Sequence, residues 1–192
     1  MRIKWFSLIR ITGLLLVLLY HFFQTIFPGG FFGVDVFFTF SGFLITALLI
    51  EEFSKNHEID LVGFFRRRFY RIVPPVVLMV LVTMPFTFLV RQDYVAGIGG
   101  QIAGVLGFMT NFYELLTGGS YESQFIPHLF VHNWSLAVEV HYYILWGLAV
   151  WFLSKQAKSN GQLKGMVFLL SAAAFLISFF SMFIGSFLVT SY

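Results

Sequence analysis

The sequence predicts an all-α fold, a polytopic bundle of transmembrane helices. Three observations predict it. The chain is 58% hydrophobic and 20% aromatic but only 11% charged, where soluble domains carry about 25% charged residues. Its apolar residues fall into five to six long runs, each near the ~20 residues that a helix needs to cross a ~30 Å hydrocarbon core. Its lysines and arginines gather in particular gaps between those runs, as they do in the cytoplasmic loops of membrane proteins. The net charge of +3 and the lack of a basic run interleaved with aromatics, outside Phe64–Arg71, give no reason to expect a nucleic-acid partner. There is no cysteine, which removes thiol nucleophiles, thiolate metal sites and disulfides.

In chain order the runs are Phe6–Phe27, Phe31–Ile50, Ile72–Val90, Tyr94–Leu116, Trp134–Leu153 and Met166–Val189. The first resembles the start of a signal peptide, but no small-residue cleavage site follows, so it reads as a helix that stays. Pro28-Gly29-Gly30 marks a tight turn into the second run. Pro74 and Pro75 read as the first turn of the third, where a missing N–H costs nothing. The fourth contains Gly97, Gly99, Gly100, Gly104 and Gly107 with Asn111 and Glu114, and reads as broken or re-entrant. The competing reading is an ordinary helix whose Gly100 and Gly104 make a close-packing face.

Arg2, Lys4 and Arg10 precede the first run, Lys55, Arg66, Arg67, Arg68 and Arg71 the third, and Lys155, Lys158 and Lys164 the sixth. With the N-terminus cytoplasmic and Tyr94–Leu116 re-entrant, only Arg91 is external. If that run crosses fully, the three lysines are external too. The expectation is therefore a multi-pass cell-membrane protein, with 51–71 and 154–165 cytoplasmic and 117–133 outside. Residues 1–192 read as one membrane domain in contact with lipid.

Asp35 and Glu139 lie inside apolar runs, where an ionisable group costs at least ~2.5 kcal/mol unless paired or hydrated. The bland alternative is that each reaches water at the outer interface. His21 is eleven residues beyond Arg10, ~16 Å along a helix and on nearly the same face. With Arg10 at the inner interface, His21 is expected near the midplane, where Asp35 or Glu139 would hold one ring nitrogen and leave the other as a base. His128 and His132 read as interfacial, His57 as solvated, and His141 as facing away from Glu139. No third ligand accompanies His128 and His132, so no metal is expected. Arg68 and Arg71, three apart on one helix face, read either as a topology anchor or as a bidentate phosphate clamp.

These residues together resemble acyltransferase family 3, whose members include bacterial O-acetyltransferases of peptidoglycan and other envelope glycans. Arg10 and His21 resemble its Arg-ten residues-His motif. "GGFFGVDVFFTFSGFLIT" is similar to its Gly-Val-Asp segment, through Gly33, Asp35, Ser41 and Gly42. Arg68 and Arg71 resemble its Arg-x-x-Arg motif. "HNWSLAVEVHYYILW" is similar to its Trp-Ser-Leu segment, through Trp134, Ser135, Glu139, Tyr142 and Tyr143. Val140-His141 departs from the Glu-Gln that many members carry there.

The resemblance implies an acyl group, often acetyl from acetyl-CoA or another acyl-CoA, taken on the cytoplasmic side and passed to a hydroxyl of an envelope glycan. Arg10, Arg68 and Arg71 would serve the cofactor, His21 would be base or transient acyl carrier, and Asp35, Glu139 and Tyr143 would orient it or relay the group. Gly33, Ser41, Gly42, Trp134 and Ser135 would be structural members of the motifs. Family members carry more membrane helices, and many add an extracellular esterase-like domain. The chain therefore reads as the N-terminal portion of such a domain. A truncated or non-catalytic remnant, half of a split system, and a proton-relay transporter through His21, Asp35 and Glu139 are the competing readings.

Overall fold

A computed structural model describes residues 4–89, 95–117 and 128–190. Every regular element among them is helical: α1 Lys4–Phe22, α2 Phe32–Asn56, α3 Leu61–Thr83, α4 Ile98–Leu106, α5 Thr110–Thr117, α6 Trp134–Gln156 and α7 Asn160–Thr190. Short 3-10 turns occupy Pro28–Phe31, Met84–Leu89 and Val131–Asn133. Four stretches are long and apolar enough to cross a membrane: Pro28–Asn56, Leu61–Thr87, Val131–Gln156 and Asn160–Ser186. A shorter apolar stretch, Ile11–Phe22, lies in α1. Large side chains such as Leu145 and Ile177 are about two-thirds exposed. Such exposure is stable only where the solvent is lipid, so the protein is a multi-pass membrane protein.

The helices group into two units. One comprises residues 1–45 and 60–146, the other 46–59 and 147–192. In the first, α1 and α2 pack closely through glycine. A Cβ added to Gly33 would lie 2.8 Å from Val17 Cγ2 and 3.1 Å from Leu16 Cβ, so only a residue without a side chain lets the helices approach this far. The α1 helix stops at Phe22, five residues before the apolar run does. Pro28 disfavours helix at the residue before it, and Phe27 leaves the helical region at φ −122°, ψ 59°. Residues 23–30 close instead through turn hydrogen bonds from Ile26 and Phe27 N–H to Phe23 O, both 2.9 Å.

The α3 helix begins eleven residues before the expected Ile72. Asp60 caps it, its side chain accepting from Gly63 N–H at 2.9 Å, a local arrangement that supplies an orphan donor of the first turn. Arg66, Arg67, Arg68 and Arg71 are thus helical rather than loop residues. Pro74 and Pro75 sit in the helix interior, not in its first turn. Lacking N–H groups, they leave the carbonyls of Tyr70 and Arg71 without their i+4 donors.

The fourth apolar run is broken. α4 and α5 are short helices of 9 and 8 residues, ~13 Å and ~12 Å long at 1.5 Å per residue, and neither spans a bilayer. Gly97 caps α4 in the left-handed conformation, φ 64°, which glycine adopts without the steric cost of a Cβ. Tyr113 OH reaches back to Gly97 O at 3.4 Å, and Tyr113 would meet a Cβ on Gly100 at 2.8 Å. Gly104 faces Thr110. The two helices therefore form a hairpin that returns to the end from which it starts, with the glycine face of α4 accommodating α5. Val76 and Val80 of α3, Val105 of α4 and Phe130 make the core beneath it.

In the second unit, Leu49, Phe53, Val150, Leu163 and Val167 are buried together with Ile59. Asn160 Nδ2 donates to Ser54 Oγ at 3.1 Å, and Lys155 Nζ lies 3.8 Å from Glu58. The turn after α2 and the turn after α6 thus lie at the same end.

Candidate functional site

In the first unit, three helices line one polar cavity of about 210 Å³. Each contributes a single face at helical spacing: Phe40, Ser41 and Leu44 from α2; Arg68, Arg71, Ile72, Pro75 and Val76 from α3; Leu136, Glu139 and Tyr143 from α6. Glu139 Oε1 accepts from Ser41 Oγ at 2.5 Å and also from the Tyr143 hydroxyl. Tyr143 is buried. The Arg68 guanidinium lies 5.6 Å from the Phe64 ring centroid and 5.7 Å from that of Tyr143, within cation–π reach of both. Its Nε is buried with no hydrogen-bond partner among the described residues. Arg68, Arg71 and Glu139 are the charged residues of the lining, so the cavity holds two cations against one anion.

The expectation that Arg68 and Arg71 precede the third membrane helix is therefore corrected. Because α3 starts at Leu61, Arg68 and Arg71 stand two to three turns inside the helix and share a cavity with Glu139 and Tyr143. An apolar cavity of about 660 Å³ adjoins it and shares Arg68, Ile72 and Tyr143. Phe65, Phe69, Phe108 and Ile144 form much of its wall.

His21 stands elsewhere. It lies exposed in the last turn of α1, which ends at Phe22 while the apolar run continues to Phe27. Its Nδ1 is 2.8 Å from Val17 O. A carbonyl only accepts, so Nδ1 carries the proton and Nε2 the lone pair in the neutral ring. The main chain performs the orienting task that the sequence assigned to a carboxylate. The ring meets His132 edge-on, with centroids 4.8 Å apart, and Tyr20 at 5.5 Å.

Asp35 is exposed in the first turn of α2, where a carboxylate complements the helix dipole. No side-chain partner engages it among the described residues. Trp134 opens α6 and meets Phe38 edge-on with ring centroids 6.2 Å apart, and Ser135 Oγ is 3.5 Å from His132 O. Gly42 faces the Tyr142 hydroxyl, which would be 3.3 Å from an added Cβ. The Arg10 side chain lies outside the described residues.

Two histidines set aside as interfacial are engaged. His132 packs on His21. His128 Nδ1 is 2.8 Å from Glu114 Oε2, an ion-pair geometry with little side-chain exposure on either partner. Their spacing of four was visible in the sequence. Their partners, Glu114 on α5 and His21 on α1, were not.

Comparison with known proteins follows these motifs. The acyltransferase domain family matches residues 3–192. O-acetyltransferase OatA of Staphylococcus aureus is 32% identical over 150 residues, covering 78% of this chain and 25% of that protein. Peptidoglycan O-acetyltransferase OatA of Listeria monocytogenes is 31% identical over 139 residues, covering 72% of this chain and 22% of that protein. The chain spans about a quarter of the length of these curated relatives. No solved structure matches it. A family match along nearly the whole chain, with relatives above 30% identity over most of it, makes this chain a member of the acyltransferase family.

Proposed function

We propose that the chain is the membrane part of an O-acyltransferase that moves an acyl group, acetyl in the first instance, from acyl-CoA to a hydroxyl of a cell-envelope glycan such as peptidoglycan. The N-terminus and the turns after α2 and α6 face the cytoplasm, because the lysines and arginines gather there. The observation that carries the reading is the cavity of Arg68, Arg71, Glu139, Ser41 and Tyr143. Two guanidiniums against one carboxylate leave an excess positive charge at helix depth. An uncompensated charge there is costly and favours an anionic ligand. CoA phosphates supply that charge, and guanidinium forks match their geometry. The names of the OatA relatives support the acetyl group and the glycan acceptor.

Within this reading Arg10, Arg68 and Arg71 draw CoA to the cytoplasmic side. Glu139 holds the Tyr143 and Ser41 hydroxyls in register, so that Tyr143 can relay toward the other end. His21 receives there. CoA leaves as the thiol when Tyr143 takes the acyl group, the phenol proton passing to the thiolate. His21 Nε2 then attacks the Tyr143 ester, whose phenolate leaves, or takes the acceptor proton as the acceptor oxygen attacks that ester. Asp35, one turn into α2, contributes negative charge at that end and steadies an imidazolium.

The test is His21→Gln, which keeps side-chain size and one hydrogen bond but cannot act as nucleophile or base. Membranes bearing the chain are supplied with acetyl-CoA and an N-acetylglucosamine oligomer, and free CoA and acetylated sugar are measured. A loss of about 10²–10⁴-fold is expected. Smaller losses are expected for Asp35→Asn and Glu139→Gln. Near wild-type release by His21→Gln would remove the histidine from the chemistry.

A further inference from the structure

The pair Glu114–His128 belongs to neither part of the cavity chemistry, yet it has the construction of an activated base. Glu114 is 6% exposed. Its Oε2 meets His128 Nδ1 at 2.8 Å. The carboxylate fixes the ring orientation and keeps the proton on Nδ1, which leaves the Nε2 lone pair pointing away from the pair. The His128 side chain keeps 18% exposure, so the ring is not sealed. Val131 N–H bonds His128 O at 3.1 Å, one short turn before His132. His132 in turn packs on His21. The dyad therefore stands at the end of the unit where α1 delivers His21.

Anchoring the hairpin is the competing explanation, and the hairpin already has an anchor of another kind. Gln101 is 1% exposed. Its Nε2 donates to Ala96 O at 2.7 Å and its Oε1 accepts from Phe130 N–H at 3.3 Å. A neutral amide thus ties α4 to the segment before α6 with both of its ends satisfied. Glu114 does the same for α5 at a higher cost, because its Oε1 is buried without a hydrogen-bond partner among the described residues. Thr110 Oγ1 and Asn111 Oδ1 are also buried and without a hydrogen-bond partner among the described residues, and residues 110, 111 and 114 fall on one ~100° arc of the helix. Buried oxygens in that state cost roughly 1–3 kcal/mol each. They make surroundings that attract hydrogen-bond donors, which is what sugar hydroxyls are.

We infer that Glu114 and His128 form the acceptor-activating site, with His128 as the catalytic base toward a sugar hydroxyl and Glu114 as its positioning residue. The inference rests on the proposed O-acyltransferase reading with His21 as acyl carrier. His128 Nε2 takes the hydroxyl proton as the oxygen attacks the acyl carbonyl. The new C–O bond forms and the bond from the acyl carbon to His21 Nε2 breaks, its electron pair returning to the imidazole. The proton on His128 then passes to solvent or to the His21 ring, and the products are acylated sugar and free His21.

The experiment compares two acceptors in membranes bearing the chain, with acetyl-CoA as donor. One is an N-acetylglucosamine oligomer, whose hydroxyl needs a base. The other is hydroxylamine, a strong nucleophile at neutral pH that needs none. For His128→Gln, transfer to the sugar should fall about 10²–10⁴-fold, while hydroxylamine acetylation stays within about twofold of wild type. Glu114→Leu should behave as His128→Gln does. Glu114→Gln should lose less, since an amide oxygen still accepts from Nδ1–H. Equal losses toward both acceptors would make the pair structural, and unchanged sugar transfer by His128→Gln would make it idle; either overturns the inference alone. Failure of the wild type toward both acceptors would overturn the O-acyltransferase reading and this inference together.

Discussion

The shared end of the turns after α2 and α6 makes a prediction that a cysteine-free chain is well suited to test. Ser54 Oγ and Asn160 Nδ2 are 3.1 Å apart across a sequence separation of 106 residues. Replacing both, Ser54→Cys and Asn160→Cys, introduces the chain's only thiols. We predict a disulfide under mild oxidation, seen as a faster band on a non-reducing gel. A loop of this length removes about 4.7 kcal/mol of unfolded-state entropy in the chain-entropy picture. The bilayer already restrains the unfolded helices, so this is a ceiling. At 2–4 °C per kcal/mol for a chain of this size it corresponds to at most about 10–20 °C in Tm in detergent. Single cysteines at Ser54 and Ser159 should be labelled by an impermeant thiol reagent only after the cells are opened, whereas a cysteine at Ser120 should be labelled in intact cells. Labelling of Ser159→Cys without lysis, together with no cross-link in the double variant, would refute both the re-entrant reading of 94–116 and the cytoplasmic assignment.

Lysine at Arg68 or Arg71 keeps the charge but loses the planar fork. Each Lys variant should weaken CoA binding, measured by titration in nanodiscs, and each Ala variant should weaken it further, by about 10–100-fold if a charged hydrogen bond worth 1.5–3 kcal/mol is lost. Unchanged affinity in all four would return these residues to topology anchors. Gly33→Ala places a methyl 2.5 Å from the Gly13 carbonyl oxygen and 2.8 Å from Val17 Cγ2, so it should lower Tm and expose α1 to protease. Val17→Ala in the same chain relieves only the side-chain contact and should restore the smaller part of the loss; full recovery would show that the Gly13 carbonyl contact costs nothing. Gly97→Ala faces both the left-handed cost of about 1–2 kcal/mol and the Tyr113 hydroxyl at 2.8 Å. Its loss of Tm should exceed that of Gly99→Ala, whose Cβ would meet nothing within 4 Å.

The all-α membrane fold was legible because lipid reverses the usual hiding of apolar surface, so length and hydropathy alone mark the helices. The break in the fourth run was legible through its glycines. The start of α3 was not, because arginines within an apolar neighbourhood look like loop. The signal that could have found it was Asp60, a capping residue just before Leu61. Misplacing that start moved Arg68 and Arg71 from the helix to its threshold, and so hid their cavity with Glu139.

The remaining gaps come from pairings that no local pattern encodes. Ser41 and Glu139 are 98 residues apart, and each alone reads only as a polar residue in an apolar run. His21 shows the converse. Its Arg10 spacing and its apolar surroundings identified the residue, but its place in the last turn of α1 was hidden because the apolar run continues past the helix. What oriented the ring was a carbonyl one turn back, available to any helix and therefore invisible as a motif. His128 was set aside as interfacial, and Glu114 counted only toward the break in its run. Their meeting required a hairpin whose turn places the α5 end beside the start of Val131–Asn133, so its chemistry follows from the break in the apolar run rather than from either residue.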